Sequence, residues 1–127
     1  MRKTIAIAFA TIVISACTST PGPMVESGYP TGSLALAAIE RGDWATAETL
    51  LTEDRGLQTD DPARPINLGR VYMETGRTAE AVAVWRRALA APSPVKVETL
   101  DGRTATTDQL AREALHRYEL TLVTAAR

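Results

Sequence analysis

This chain is poor in the residues that carry most chemistry. Among its 127 residues there is one cysteine, Cys17, and one histidine, His116. A single thiol cannot close an intrachain disulfide, and a lone histidine with no second ligand residue near it makes no metal site. No Gly-rich phosphate loop and no nucleophile motif occurs, so the numerous carboxylates have no catalytic context. We therefore expect no enzyme activity, no cofactor and no metal. Lysine is scarce as well, with only Lys3 and Lys96 against twelve arginines. No basic run of five or more exists, which leaves nucleic-acid binding without an electrostatic footprint.

The one cysteine sits where it is most informative. Arg2 and Lys3 precede an uncharged, mostly apolar stretch from Thr4 to Ile14, and Ser15-Ala16 lead to Cys17. A charged start, an apolar run and small residues before a cut are the parts of a secretory signal. Ile14-Ser15-Ala16-Cys17 resembles the lipobox of bacterial lipoproteins. The resemblance implies cleavage after residue 16, a diacylglycerol on Cys17 and usually an acylated new amino end. Two or more acyl chains hold a domain stably on a membrane surface. Thr18 stands where an Asp would commonly retain such a protein at the inner membrane, so the expected address is the outer membrane, facing the periplasm.

Removing residues 1–16 leaves 111 residues, 127 minus 16, with a side-chain charge of 12 minus 15, or −3. That is one domain's worth of chain. Residues 17–32 carry the lipidated cysteine and then TSTPGPMVESGYPTG, whose Ser, Thr, Pro and Gly content reads as a tether. The domain proper is expected over 33–127.

Within it, two segments align when shifted by 34 residues: Leu34 with Leu68, Gly42 with Gly76, Ala47 with Ala81, Leu51 with Trp85. A fixed period in this range marks a repeat architecture. The second copy reads Leu68-Gly69, Tyr72, Gly76, Ala81, Trp85, Ala88 and Pro92, which resembles the tetratricopeptide repeat pattern. Leu68 and Tyr72 share a helix face, Gly69 and Ala81 permit close helix approach, and Gly76 suits a helix end. Thr78 is expected to cap the following helix, whose stripe is Ala81, Val84, Trp85 and Ala88. In the first copy Ser33 is the candidate cap of a short helix to Arg41. Asp43 is expected to cap the second helix, with Ala47, Leu50 and Leu51 inside. Trp44 either covers the turn or faces a ligand, and the first reading is preferred. Gly56 is expected to end this helix. Asp61 is expected to cap a third helix that starts at Pro62, or at Arg64 if Pro65 delays it.

A third copy at the same period would need Gly at 110, where Leu110 stands, so the periodicity stops. Residues 95–106 alternate around Asp101-Gly102 and form either a small β-hairpin or an irregular loop. Thr106 with Gln109 fits a capping box for a last helix over 107–125, with Leu110, Ala114, Tyr118 and Leu122 at four-residue spacing. That helix either caps the array or pairs with a partner or a second copy of the chain.

The expected fold is all-α: two helical hairpins, about 28–61 and 62–95, plus the C-terminal helix. Repeats that resemble these imply protein–protein interaction through a groove lined by first helices. The implied candidates are Asn67, Arg70, Met73 and Glu74 on the second copy, and Leu36, Ile39 and Glu40 on the first. Leu36 and Ile39 equally suit a core. The nearest lipoprotein classes are small tetratricopeptide lipoproteins of pilus and secretion assembly. The alternative is a structural envelope lipoprotein that self-associates, for instance as a homodimer.

Overall fold

The computed structural model describes residue 29 and residues 32–53 and 61–126. The signal segment, Cys17, Gly56 and the linker from Leu57 to Asp60 lie outside the described residues, as does most of the tether. The chain order is α1 (Leu36–Glu40), α2 (Trp44–Thr52), α3 (Ala63–Glu74), α4 (Thr78–Leu89), β1 (Lys96–Glu98), β2 (Thr104–Thr106) and α5 (Thr107–Ala125). Helices dominate, and the only sheet among the described residues is the small antiparallel pair β1–β2. The fold is an all-α, tetratricopeptide-type array with one hairpin inserted.

Each turn inside a repeat is made by a glycine with positive φ. Gly42 (φ 69°) separates α1 from α2, and Gly76 (φ 77°) separates α3 from α4. Glycine accepts this conformation without a Cβ penalty. In both turns the residue after the glycine donates its N–H five residues back: Asp43 to Ala38 O at 2.9 Å, and Arg77 to Tyr72 O at 2.8 Å. Asp43 then caps α2 by accepting from Thr46 N.

Other helix starts differ from the sequence expectation. Ser33 caps nothing: it is buried, and α1 begins only after Ala35, which holds a left-handed φ of 56°. Thr78 is the first residue inside α4, preceded by Arg77 at the cap position with no side-chain cap bond. Asp61 does accept from Ala63 N at 2.8 Å, but α3 starts at Ala63 rather than Pro62. The capping box of Thr106 and Gln109 is present, with Thr106 N–H donating to Gln109 Oε1 at 3.0 Å.

The 95–106 segment is a hairpin, with Val97 paired to Ala105 and both side chains buried. Leu100, Asp101 and Gly102 form its three-residue loop. Gly102 N donates to Thr99 O and Thr99 N donates to Arg103 O, both at 2.8 Å, and Gly102 has φ 76°. This is a turn followed by a glycine in the left-handed region, a standard three-residue connection. A bidentate ion pair from Arg103 to Glu113 ties the loop to α5 at 2.8–2.9 Å.

The helices stack in sequence: α2 on α3, α3 on α4, α4 on α5, with α5 also touching α3. Thus α5 meets α4 as α3 meets α2. The packing motif agrees. Leu34, Ala35 and Ala38 are buried in the first repeat, Leu68, Gly69 and Tyr72 in the second, and Leu110, Ala111 and Ala114 in α5. Each set is an apolar residue, a small residue beside it, and an apolar residue four positions on. The shift is 34 residues and then 42 (68 to 110), so the hairpin segment adds eight. Leu110, which breaks the 34-residue period, is therefore the leucine of a displaced third first-helix.

Candidate functional site

Among the first helices, α3 touches α5, and Asn67 of α3 reaches Leu34 just ahead of α1. Gly69 sets the spacing between α3 and α4 in the second repeat. A Cβ there would lie 2.1 Å from Trp85 Nε1, so the indole ring rests directly on the α3 backbone. Trp85 is buried and its Nε1–H donates to Ile66 O at 3.3 Å. A buried indole that is both packed and hydrogen-bonded holds one orientation. Ala81, Val84 and Ala88 complete the buried stripe of α4. Ala47 and Leu51 do the same for α2. Trp44 is half-buried against the core, and its ring sits beside Gly42, covering the turn.

Three polar contacts join the repeats, none of them foreseen. Asn67 Nδ2 donates to Leu34 O at 2.8 Å, fixing α3 to the start of the first repeat. Arg64 Nη2 donates to Leu50 O at 3.1 Å and also to Glu53 O, satisfying carbonyls at the end of α2. Arg77 pairs with Glu48 of α2 and with Glu80 of α4 at 2.6 Å each, while its guanidinium lies 4.2 Å from the centroid of the Tyr72 ring. The Glu80 and Glu48 carboxylates hold Arg77 more firmly protonated than usual, and Arg77 in turn lowers the Glu80 pKa. Burial, with Glu48 nearby, raises the Tyr72 phenol. Before α1, Tyr29 donates its hydroxyl to Asp61 at 3.2 Å; burial and that carboxylate push its pKa up to about 12.

The expected groove residues divide between core and surface. Asn67 is only 1 % exposed, and Ile39 is buried in the core at 4 %. A groove residue should be open to a partner; instead Asn67 is buried and its amide serves the Leu34 carbonyl. Leu36 is half-buried and Glu40 exposed at the α1 position. On α3, Arg70 and Met73 are half-buried and Glu74 is exposed, with Arg70 Nε 3.3 Å from Glu74 Oε1. The accessible members are thus Leu36, Glu40, Arg70, Met73 and Glu74.

The displaced third first-helix adds residues that a strict 34-residue period misses. Shifting Arg70, Met73 and Glu74 by 42 gives Arg112, Leu115 and His116. Arg112 and His116 are exposed and Leu115 is half-buried. Arg112 pairs with Asp108 at 2.9 Å. The signal that finds them is the recurring leucine-plus-small pair, Leu34-Ala35, Leu68-Gly69 and Leu110-Ala111, rather than the period itself.

Among the described residues no group of metal-ligating side chains gathers, and no helix is long and apolar enough to cross a membrane. The first-helix face mixes apolar side chains with charges of both signs. That chemistry suits a peptide or protein surface.

Comparison with known proteins agrees with the geometry. The tetratricopeptide repeat model matches residues 28–53 and 66–87, which contain α1–α2 and most of α3–α4. No curated protein and no solved structure matches the chain. Matched sequence, turn geometry and helix order thus agree that residues 28–53 and 66–87 are similar to tetratricopeptide repeats.

Proposed function

We propose that the chain is a lipid-anchored interaction module of the bacterial envelope, an adaptor or assembly factor held at the outer membrane on the periplasmic side. The lipobox-like Ile14-Ser15-Ala16-Cys17 supports the anchor, and the matched repeats support binding rather than catalysis. The observation that carries the binding role is the accessible first-helix stripe, Leu36 and Glu40, Arg70, Met73 and Glu74, then Arg112, Leu115 and His116. It runs across three helices whose backs are fixed in the core. Pilus and secretion assembly are the nearest settings by resemblance.

Two measurements test this. Radiolabelled palmitate should enter the wild-type chain and be absent from Cys17→Ser, which should also leave the membrane fraction. Crosslinking in the native envelope should recover a partner that is lost in the triple substitution Arg70→Glu, Met73→Ala, Glu74→Arg at unchanged helix content. Asn67 is left intact, because its amide holds the fold. Unchanged partner recovery from the triple variant would sink the groove reading. Recovery of the chain alone would favour the structural, self-associating lipoprotein.

A further inference from the structure

A cleft opens where the start of α3 meets the end of α4. Its volume is about 230 Å³, and its lining includes Asp61, Pro62, Pro65, Arg87, Ala91 and Pro92. The α3 side of this cleft is apolar for a backbone reason. The first N–H groups of a helix ordinarily attract an anion. Here Pro62 and Pro65 carry none, and the Ala63 N–H is taken by the Asp61 carboxylate at 2.8 Å. Asp61 itself would repel an anion. The surface suits a short apolar stretch of chain instead.

The two charges that line the cleft differ in how they are engaged. Asp61 is occupied, since it also accepts from the Tyr29 hydroxyl at 3.2 Å. Arg87, in the last turn of α4, is exposed and closes no ion pair or hydrogen bond among the described residues. The Tyr29 ring packs against the core, so the chain meets the rim of the cleft at Tyr29. The sequence leading to it reads Pro21-Gly22-Pro23-Met24-Val25-Glu26-Ser27-Gly28. Glu26 is the only charged residue between Cys17 and Tyr29. It stands three residues from Tyr29, about 10 Å of extended chain. Met24 and Val25, just before it, are the only large apolar residues in that stretch apart from proline.

We propose that residues 24–28 of the same chain dock in this cleft, with Met24 and Val25 against its prolines and the Glu26 carboxylate on the Arg87 guanidinium. The two apolar side chains cover the proline surface, and the ion pair fixes the register. A segment joined to the rim at Tyr29 has an effective concentration of about a millimolar, which a separate protein must exceed to displace it. The docking stands on the cleft and on Tyr29, and not on the lipid reading. With Cys17 anchored it has a second effect. The free tether shortens to residues 17–23, about 25 Å when extended, against about 50 Å for residues 17–32. The end of the domain that bears the cleft is then the end nearest the membrane.

Cysteine pairing in the full chain, taken from its native envelope, tests this. Val25→Cys combined with Ala91→Cys should form an intrachain disulfide, and Ser19→Cys combined with Ala91→Cys should not. Fragment masses from the linked peptides tell a link at 25 from one at 19 or at Cys17. In the paired 25/91 chain, Glu26→Arg or Arg87→Glu should each lower the yield about threefold, as expected for losing one surface ion pair. The combined Glu26→Arg, Arg87→Glu exchange should restore it. Arg87 is exposed, so helix content should match the parent in every variant. A tether that only wanders past the domain would link equally from 19 and 25, with no dependence on charge, and that result overturns the proposal. So does a link formed only between two copies, an adduct of the cysteine at 91 with a different protein in place of the intrachain link, or failure of the exchange to rescue.

Discussion

The two repeats answer the same packing problem with different parts. In the second, Gly69 removes a side chain so that Trp85 can lie on the α3 backbone, and both helices run twelve residues. In the first, Ala35 stands where Gly69 would be and Leu51 where Trp85 would be. There the backbone at Ala35 turns left-handed, and α1 is only five residues long. An isolated helix of that length is not stable in water, because few of its residues repay nucleation. What holds the first repeat is largely supplied by the second: Asn67 to the Leu34 carbonyl, Arg64 to the end of α2, and Arg77 to Glu48. The short first repeat therefore leans on the longer second one, which is itself covered on its other side by α5.

The comparison can be broken most severely at Gly69. Gly69→Ala places a methyl where the indole already is, and overpacking of a rigid ring against backbone should cost about 3 kcal/mol. Because the first repeat leans on the second, chemical denaturation should show both repeats lost together, at a lower midpoint. A variant that unfolds α3–α4 while α1–α2 persists would refute the dependence. Asn67→Ala comes next. It leaves the buried Leu34 carbonyl without its donor, which should cost about 2 kcal/mol. Hydrogen exchange should speed up in residues 35–52 and stay unchanged in 78–89; equal acceleration in both would show that Asn67 serves the whole core. The smallest effect belongs to Ala35. Glycine relieves about 1 kcal/mol of left-handed strain and removes a buried methyl of about 0.8 kcal/mol, so Ala35→Gly should be near neutral in thermal melts. Ala38→Gly, in right-handed helix, has no strain to relieve and should cost about 1.5 kcal/mol. Equal losses at the two positions would mean that the backbone at Ala35 is not strained.

Much of this arrangement is legible in the residues. Helical spacing places α2, α3, α4 and α5, the glycines at 42 and 76 mark the turns, and Asp43 and the Thr106/Gln109 box mark two helix starts. The Asp101-Gly102 hairpin is visible as one of two readings. Other features depend on contacts between distant positions. Ser33 and Thr78 have the chemistry of caps, yet the chain enters α1 and α4 differently because Leu34 and Ala35 are drawn into the core and Arg77 is held by two carboxylates. Asn67 lies one residue before Leu68, so periodicity puts it at the edge of the packing face. Only the neighbouring repeat's Leu34 carbonyl turns that edge inward. The third first-helix is obscured for a simpler reason. Eight inserted residues displace its leucine from the expected position, and a fixed period cannot register an insertion.

The placement of the tryptophans gives each repeat its own optical signal. Trp85 is sealed against Gly69 with its N–H bonded to Ile66, and Trp44 is half-open over the Gly42 turn. Their emission should differ in colour and in access to soluble quenchers. With Trp44→Phe or Trp85→Phe in turn, the opening of each repeat can be followed separately by light, without attaching any label to the chain.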